Sequence, residues 1–189
     1  MELGKTLYVA DRKTWRAWLS GHSTSTKEIW LVYYKKSSGR PRIPYNDAVE
    51  EALCFGWIDS IVKKVDDERF AQRFSPRRPG SALSQLNKER IGKLILEKRM
   101  TDAGMRAVAH AYNGRKDHGK AVIPGNVMRA MREDPATWRN FQKLPESYKR
   151  IRIAYLEGRR RQSGDAFRRS LKYFVRMTAK NKRFGFVKE

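Results

Sequence analysis

The chain has one cysteine, Cys54, among 189 residues. A single cysteine can form no disulfide within the chain and cannot build a cysteine-based zinc site, which excludes disulfide-stapled folds and zinc ribbons. We interpret Cys54 as a small buried apolar residue rather than a nucleophile. A lone thiol is typical of a reducing compartment, and the first residues show no secretory signal. We therefore predict a cytoplasmic protein.

Histidine is also scarce, and familiar catalytic motifs are missing. His22, His110 and His118 have no spacing that would place two ligands on one helical turn, so we expect no metal site. The serine hydrolase elbow and the glycine-rich loops that bind nucleotides or dinucleotides are absent. We expect no cofactor, and the sequence favours a non-catalytic protein because an enzyme would need a less familiar site.

The sequence has no long apolar run, and its acidic residues are far fewer than its basic residues. No apolar stretch approaches the roughly 20 residues of a membrane helix, so no membrane span is expected. Aromatic residues make up 11% of the chain, which predicts a folded protein. Lys and Arg number 42 against 20 Asp and Glu, a net charge of +22. Residues 1–110 hold 21 basic and 13 acidic side chains, whereas residues 111–189 hold 21 and 7.

Hydrophobic periodicity predicts an α+β domain over residues 1–112. A short strand at residues 7–9, a strand buried on both faces at 29–34, and a hairpin of strands at 57–65 and 69–75 form a small, mainly antiparallel sheet. A helix is expected at residues 45–55. Predicted helix caps are Asp11, Ser84 and Thr101.

The second part of the chain is predicted to be a basic helical module over residues 124–189. A polar stretch at residues 113–123, broken by glycines, is interpreted as a linker. Helices are then expected at residues 126–133, 135–142, 145–161 and 163–180. The predicted fold class is therefore α+β, a small sheet with packed helices followed by a helical C-terminal module.

The hairpin and the segment after it carry the densest polar cluster. If Val65 opposes Arg69, the register places Ser75 opposite Asp59 and Arg73 opposite Ile61, so Asp59 could orient an arginine. Guanidinium groups followed by a serine-rich helix start suit an anion. The candidate anion-site residues are Asp59, Arg73, Arg77, Arg78, Ser81, Ser84 and Asn87. An ion pair that merely ties the hairpin to the helix is the other interpretation.

The C-terminal region carries the second cluster, a dense set of cations. Residues 151–189 hold 12 basic and 3 acidic side chains. An ordinary solvated face mixes acids with bases, so this excess favours contact with a polyanion, whose counterions Lys and Arg displace. The candidate nucleic-acid-binding residues are Arg159, Arg160, Arg161, Arg168, Arg169, Lys172, Arg176 and Lys180.

Several ordered stretches resemble a known family. Residues 51–59 read Glu-Ala-Leu-Cys-Phe-Gly-Trp-Ile-Asp and residues 73–79 read Arg-Phe-Ser-Pro-Arg-Arg-Pro. With these stretches, nearly the whole chain resembles the YdeI/OmpD-associated family, named for bacteriocin protection. The Asp-Pro-Ala at residues 134–136, with Trp138 and residues 145–150, is similar to its C-terminal helical module. The resemblance implies a link to envelope stress or antimicrobial-peptide tolerance and supplies no established reaction.

Two function hypotheses follow from charge and clustering. The first is a non-catalytic binding protein that engages an anionic partner, nucleic acid above all, through its basic surface. The alternative is an enzyme or small-ligand module acting on a phosphate- or carboxylate-bearing metabolite at Asp59, Arg73, Arg77 and Arg78. A passive docking protein would instead show an exposed apolar patch.

Overall fold

A computed structural model describes residues 3–185, apart from the side chain of Arg115. Within these residues the chain forms two compact units. Unit 1 comprises residues 3–83 and 90–112, and unit 2 comprises residues 84–89 and 113–185. Unit 1 holds a sheet with packed helices and unit 2 is helical, so the predicted α+β class is confirmed.

The sheet of unit 1 has four strands: β1 (Thr6–Tyr8), β2 (Ile29–Tyr34), β3 (Trp57–Lys64) and β4 (Arg69–Pro76). Their order in the sheet is β1-β2-β4-β3. β1 runs parallel to β2, whereas β2 and β3 both pair antiparallel with β4. The sheet is therefore mainly antiparallel, as predicted.

The helices of the first part are α1 (Arg12–His22), α2 (Tyr45–Cys54), α3 (Gln85–Leu96) and α4 (Asp102–Val108), with a 3-10 turn at Lys36–Ser38. Their starts follow the predicted caps. Asp11 accepts a hydrogen bond from the Thr14 amide at 2.8 Å, and Thr101 accepts one from the Gly104 amide at 3.1 Å. These side chains satisfy amides that the first helical turn leaves unpaired.

One face of the sheet covers the core of unit 1. Alternate residues of β2, namely Ile29, Leu31 and Tyr33, point to this inner face with Trp57 and Phe74. Helices α1 and α2 complete the core with the buried side chains Trp15, Leu19, Val49 and Leu53. Side chains at the intervening strand positions lie on the outer face, so register decides which polar residues of the hairpin can meet.

The predicted hairpin register is correct near the turn and wrong at Asp59. The Val65 amide donates to the Arg69 carbonyl at 3.0 Å, as expected. An irregularity between Asp59 and Val62 then shifts the pairing, so that Asp59 pairs with Phe74. An extra residue in one strand moves every later partner by one position. Ser75 consequently opposes Ile58, and Arg73 pairs with Trp30 of β2 on the outer face.

Unit 2 is built from α5 (Gly114–Asp117), α6 (Gly125–Arg132), α7 (Pro135–Lys143), α8 (Glu146–Gln162) and α9 (Gly164–Ala179). The four helices predicted beyond residue 124 are present, and the segment interpreted as a linker contains α5. Their buried faces form a separate core that includes Val127, Met131, Phe141, Tyr148, Leu156 and Phe174. Within residues 3–185, no helix combines the length and apolarity needed to cross a membrane.

Candidate functional site

Asp59 lies on the inner face of the sheet and binds neutral donors. Its Oδ2 accepts hydrogen bonds from the Tyr45 hydroxyl of α2 at 2.9 Å and from Nε2 of Gln72 at 2.8 Å. Neither partner is an arginine. The expectation that Asp59 orients Arg73 is therefore wrong, because the two side chains lie on opposite faces of the sheet.

Arg73 is neutralised on the outer face. Its Nε and Nη2 lie 2.7 and 2.6 Å from Oε2 of Glu28. Hydrogen bonding from Arg73 is the main reason that the pKa of Glu28 falls below its usual value. This is a structural ion pair of the kind the sequence left open, but its acid is Glu28. The neighbouring candidate, Arg78, is exposed.

Arg77 differs from both of these arginines, because it is buried and lacks a carboxylate partner among the described residues. Its side chain is 7% exposed, and its backbone amide donates to the Gly56 carbonyl at 2.9 Å. Nη2 donates to the Ala82 carbonyl at 2.8 Å, whereas Nε and Nη1 have no hydrogen-bond partner. The buried hydroxyl of Ser81 is also unpaired. Burial lowers the pKa of Arg77, and Asp59 partly opposes that effect.

Sequence reasoning missed several polar residues around Asp59. Tyr33 is 2% exposed and its hydroxyl has no hydrogen-bond partner. Arg90 of α3 is buried and donates through Nη2 to Oδ1 of Asn46 at 2.7 Å. Gln72 could have been recognised from the sequence as a buried polar residue. It lies between Phe70 and Phe74, at a strand position where alternation predicts an apolar residue. Tyr33 gave no such indication, because it lies within the apolar and aromatic run of residues 29–34.

The tyrosines of this inner-face group stay protonated at neutral pH. Burial, the charge of Asp59 and the hydrogen bond to Asp59 raise the pKa of Tyr45 to about 12. Burial, with Asp59 and Tyr45 nearby, raises the pKa of Tyr33 further above its usual value. Both phenols therefore keep their protons, and Tyr45 uses its proton in the hydrogen bond to Asp59.

The last two anion-site candidates, Ser84 and Asn87, belong to the first turn of α3 in unit 2. The Ser84 hydroxyl accepts a hydrogen bond from the Asn87 amide at 3.2 Å. Ser84 therefore has the capping role that the sequence predicted, and it stabilises the start of α3.

A third polar cluster, in unit 1, is fully neutralised. The carboxylate of Glu51 is 0% exposed and accepts hydrogen bonds from Nε of Arg12 at 2.5 Å, from Nη1 of Arg16 at 2.7 Å, and from Nη2 of Arg99. One turn further along α2, Cys54 is a buried free thiol, as predicted, and burial raises its pKa. Within residues 3–185, no group of histidine, cysteine and acidic side chains could hold a metal ion.

The predicted basic residues of unit 2 fall into two groups. On α8, Arg160 lies 3.2 Å from Oε2 of Glu157, and Arg159 donates to Gln162 at 2.5 Å, while Arg161 is exposed. On α9, Arg168 pairs with Asp165. The remaining cations of α9, with Lys180 at its C-terminal cap, form what we call the basic stripe: Arg169, Lys172, Arg176 and Lys180, all exposed and without a carboxylate partner in the described part of the chain.

The basic stripe occupies one side of α9. At 3.6 residues per turn, the four residues of the basic stripe fall within an arc of about 80° and along about 16 Å of helix. That length equals the axial rise of about five successive phosphates on one strand of B-DNA. The apolar residues Phe167, Leu171 and Phe174 lie on the other side and face the core of unit 2.

Two tyrosines are exposed on the helices that carry these cations. Tyr155 of α8 is 51% exposed and Tyr173 of α9 is 39% exposed. The guanidinium of Arg176 lies 5.1 Å from the centre of the Tyr173 ring. Cations and aromatic faces of this kind together can bind both the backbone and the bases of a single strand.

Comparison with known families divides the chain in two. Residues 7–107 match a domain of unknown function (DUF8412). Residues 120–181 match the family described as bacteriocin-protection, YdeI or OmpD-associated. The chain belongs to the DUF8412 family, and its C-terminal part is similar to the YdeI or OmpD-associated family. No curated protein and no solved structure matches the chain.

The predicted resemblance to the YdeI or OmpD-associated family is therefore confirmed for residues 120–181. The stretches at residues 51–59 and 73–79, on which the resemblance also drew, fall within the DUF8412 match. The basic stripe of α9 lies inside the YdeI or OmpD-associated region, whereas Asp59 and Arg77 lie inside the DUF8412 domain.

Proposed function

We propose that unit 2 of this DUF8412 protein binds a polyanion, namely nucleic acid, through the basic stripe, and that this role is non-catalytic. The observation that carries the proposal is the set of exposed cations on α9 that no carboxylate neutralises among residues 3–185. A cytoplasmic location, where nucleic acid is present, belongs to the same proposal.

Electrostatics supports a partner of opposite charge. Like charges spaced four residues apart on a helix repel one another and weaken it slightly. A polyanion reverses this effect, since each Lys or Arg that contacts a phosphate releases a condensed counterion. The only acid on the same side of α9, Asp165, is occupied by Arg168.

The exposed rings favour single strands over duplex. Tyr155 and Tyr173 lie on the two helices that carry the arginine-rich segments, and base stacking on such rings contributes about 1–3 kcal/mol per base. Stacking requires an unpaired base. We therefore expect tighter binding to single-stranded than to double-stranded oligonucleotides of equal length.

The test is fluorescence anisotropy with labelled oligonucleotides over a range of salt concentrations. Binding at about 50 mM salt should weaken linearly in log K against log salt, with a slope of about −0.7 per phosphate contacted on a single strand and −0.9 on duplex. The R169Q/K172Q/R176Q/K180Q variant should reduce that slope by about 3 to 4 units on duplex if each residue contacts one phosphate.

The matched control removes the same charge from unit 1. Lys13, Lys27, Lys36 and Arg106 are exposed, and their joint replacement by glutamine should leave the slope nearly unchanged. Failure of the wild-type protein to bind either oligonucleotide at about 50 mM salt would refute the proposal. Equal loss of affinity in the control variant would show that total charge, rather than the basic stripe, governs binding.

The alternative function is an enzyme or small-ligand module acting on an anionic metabolite. The sequence predicted its site at Asp59, Arg73, Arg77 and Arg78, and two of these residues no longer support it. Arg73 is neutralised by Glu28, and Arg78 is exposed. The unpaired nitrogens of Arg77 still favour a small anionic ligand in unit 1.

A further inference from the structure

One exposed aromatic ring lies on the same side of α9 as the basic stripe. Tyr173 follows Lys172 in the chain, with Arg169 one turn before it and Arg176 one turn after it. At 3.6 residues per turn, Tyr173 lies about 20° outside the arc of the stripe. The residue is 39% exposed, and the guanidinium of Arg176 lies 5.1 Å from the centre of its ring. Solvent therefore meets an aromatic ring among these cations.

The chain reverses direction directly after α9. Asn181 has a φ of 50°, a left-handed conformation that asparagine adopts more readily than most residues. The Asn181 amide donates to the Thr178 carbonyl at 2.9 Å. The Lys182 amide donates to the Met177 carbonyl, also at 2.9 Å, which completes the Schellman pattern of helix ends. This reversal brings Phe184 back onto α8 and α9.

Phe184 is held there through its backbone and through its ring. Its amide donates to the Tyr148 hydroxyl at 3.1 Å, and the guanidinium of Arg152 lies 4.6 Å from the centre of its ring. Tyr148 is 1% exposed and Arg152 is 8% exposed, so both anchors belong to the interior of unit 2. A cation–π contact is stronger when the cation has left water. Phe184 therefore has a fixed position although it follows the last helix.

Phe184 in turn holds the ring of Tyr173. The two ring centres are 4.8 Å apart and the ring planes are perpendicular, which is an arrangement that aromatic pairs prefer. Tyr148, which also contacts Phe184, is buried and its hydroxyl is bonded, whereas Tyr173 remains in solvent. A ring that is already held loses less conformational freedom when a ligand binds, and this favours affinity. The contact therefore prepares Tyr173 for a ligand without burying it.

A ring beside a guanidinium has the chemistry that binds a nucleobase. Every base has a π face, so bases of any sequence can stack on tyrosine, and arginine adds a cation–π contribution. Bases that are unstacked and unpaired are the ones that proteins bind in this way. The phosphates next to such a base would meet the cations of the basic stripe. A polyanion without bases could use only those cations.

We propose that Tyr173 is a base-stacking residue and that Phe184 is the residue that positions it. Unit 2 then recognises unpaired nucleobases as well as phosphates, so its partner is single-stranded nucleic acid and not a base-free polyanion such as polyphosphate. This inference rests on the proposed binding of nucleic acid by the basic stripe.

The test compares two labelled single strands of about 12 nucleotides, oligothymidylate and an abasic strand with the same number of phosphates. Anisotropy titrations of the full chain over a range of salt concentrations give an affinity and a salt slope for each strand. The wild-type protein should bind oligothymidylate at least about fivefold more tightly, because stacking on one base contributes that much. The two salt slopes should be equal, because both strands present the same phosphates.

Tyr173→Leu removes the ring and keeps an apolar side chain on α9. It should bind oligothymidylate at least about fivefold more weakly than the wild type does, while its affinity for the abasic strand and its salt slope should not change. Tyr8→Leu is the matched control, because Tyr8 is 44% exposed but lies in unit 1. It should bind both strands as the wild type does.

Phe184→Leu tests the positioning role. It leaves the Tyr173 ring without its perpendicular partner, so we expect a loss of about two- to tenfold for oligothymidylate and none for the abasic strand. Phe184→Tyr keeps the ring and should bind as the wild type does. Equal losses for both strands in Phe184→Leu would show that Phe184 only maintains the fold, and the positioning role would be wrong.

The inference is overturned if the wild type binds both strands equally, or if Tyr173→Leu weakens both strands alike. Either result leaves binding by the basic stripe intact, because the salt slope persists. Absence of binding to both strands would instead remove the stripe itself, and this inference with it. If Phe184→Leu fails to fold by circular dichroism, Phe184→Tyr and Tyr173→Leu decide.

Discussion

The two units use arginine in opposite ways. In unit 1, Arg12, Arg16 and Arg99 converge on the fully buried carboxylate of Glu51. In unit 2, the cations of the basic stripe lie in solvent without carboxylate partners among the described residues. A buried pair is strongly coupled to folding, whereas an exposed charge contributes little to stability. The Glu51 cluster is therefore structural, whereas the basic stripe contributes little to the stability of unit 2.

Each unit also contains a buried arginine without a carboxylate partner among the described residues, Arg77 in unit 1 and Arg152 in unit 2. Arg77 of unit 1 has unpaired nitrogens beside polar groups. Arg152 of unit 2 is surrounded by aromatic rings, with its guanidinium 4.6 Å from the centre of Phe184 and 5.3 Å from that of Tyr148. Burial lowers the pKa of both. Nε of Arg152 is likewise without a hydrogen-bond partner among the described residues, but the aromatic rings compensate its charge through their faces.

The largest expected effect is that of Glu51→Gln. The substitution leaves three guanidinium groups around a neutral buried amide, and breaking a buried ion pair in this way costs about 3–5 kcal/mol of unfolding free energy. Urea unfolding, followed through the indole fluorescence to which the four tryptophans of unit 1 contribute most, measures the loss.

The control for this prediction is the exposed pair of unit 2. Glu157→Gln removes the partner of Arg160 and should change the unfolding free energy by less than about 1 kcal/mol. Similar losses in Glu51→Gln and Glu157→Gln would show that burial does not separate the charges of the two units.

The second prediction compares a tightly packed helical glycine of unit 1 with a loosely surrounded helical glycine of unit 2. A Cβ on Gly104 of α4 would lie 2.7 Å from the carbonyl carbon of Cys54, backbone that cannot move aside. Gly104→Ala should therefore destabilise unit 1 by about 3 kcal/mol. In α8, a Cβ on Gly158 meets only Nη2 of Arg161, at 3.9 Å. Gly158→Ala should stabilise unit 2 by about 0.5–1 kcal/mol, since alanine favours the helix. A destabilising Gly158→Ala in urea unfolding would contradict this contrast.

Much of the fold could be predicted because its signals are local. Helix caps such as Asp11 and Thr101, and the turn between β3 and β4, depend on residues a few positions apart. The exposed side of α9 also follows from four-residue spacing alone. The DUF8412 and YdeI or OmpD-associated parts are both well predicted at this level.

The candidate site of unit 1 could not be predicted because it depends on register. The irregularity between Asp59 and Val62 moves Asp59 opposite Phe74, and no sequence pattern marks that shift. Glu28, the true partner of Arg73, is 45 residues away in the chain. Tyr33 is unpaired only once the sheet and α2 enclose its hydroxyl, a property of tertiary structure.

The smallest expected effect is a pH dependence at Glu89, where unit 2 does contain a well-formed ion pair. Oε1 and Oε2 of Glu89 lie 2.6 and 2.8 Å from Nε and Nη2 of Arg150. Burial raises the pKa of Glu89, but hydrogen bonds from Arg150 and Gln85 outweigh it and hold the pKa below its usual value. The folded state therefore favours the ionised carboxylate. Its contribution to stability is present above the unfolded-state pKa of about 4.3 and is lost as pH falls through the lower folded-state pKa.

Glu89→Gln removes this contribution. The wild-type protein should lose more stability between about pH 5 and pH 3 than the variant, and the two should differ most near neutral pH. Urea unfolding followed by fluorine NMR of the protein labelled with fluorotryptophan resolves Trp138, the single tryptophan in the sequence of unit 2, from the four tryptophans of unit 1. Glu157→Gln, in an exposed pair, should keep the wild-type pH profile. If the unfolding free energies of the wild type and Glu89→Gln change with pH in parallel, the ionised carboxylate of Glu89 does not stabilise unit 2. Of the two buried carboxylates compared, only Glu51 would then contribute to stability.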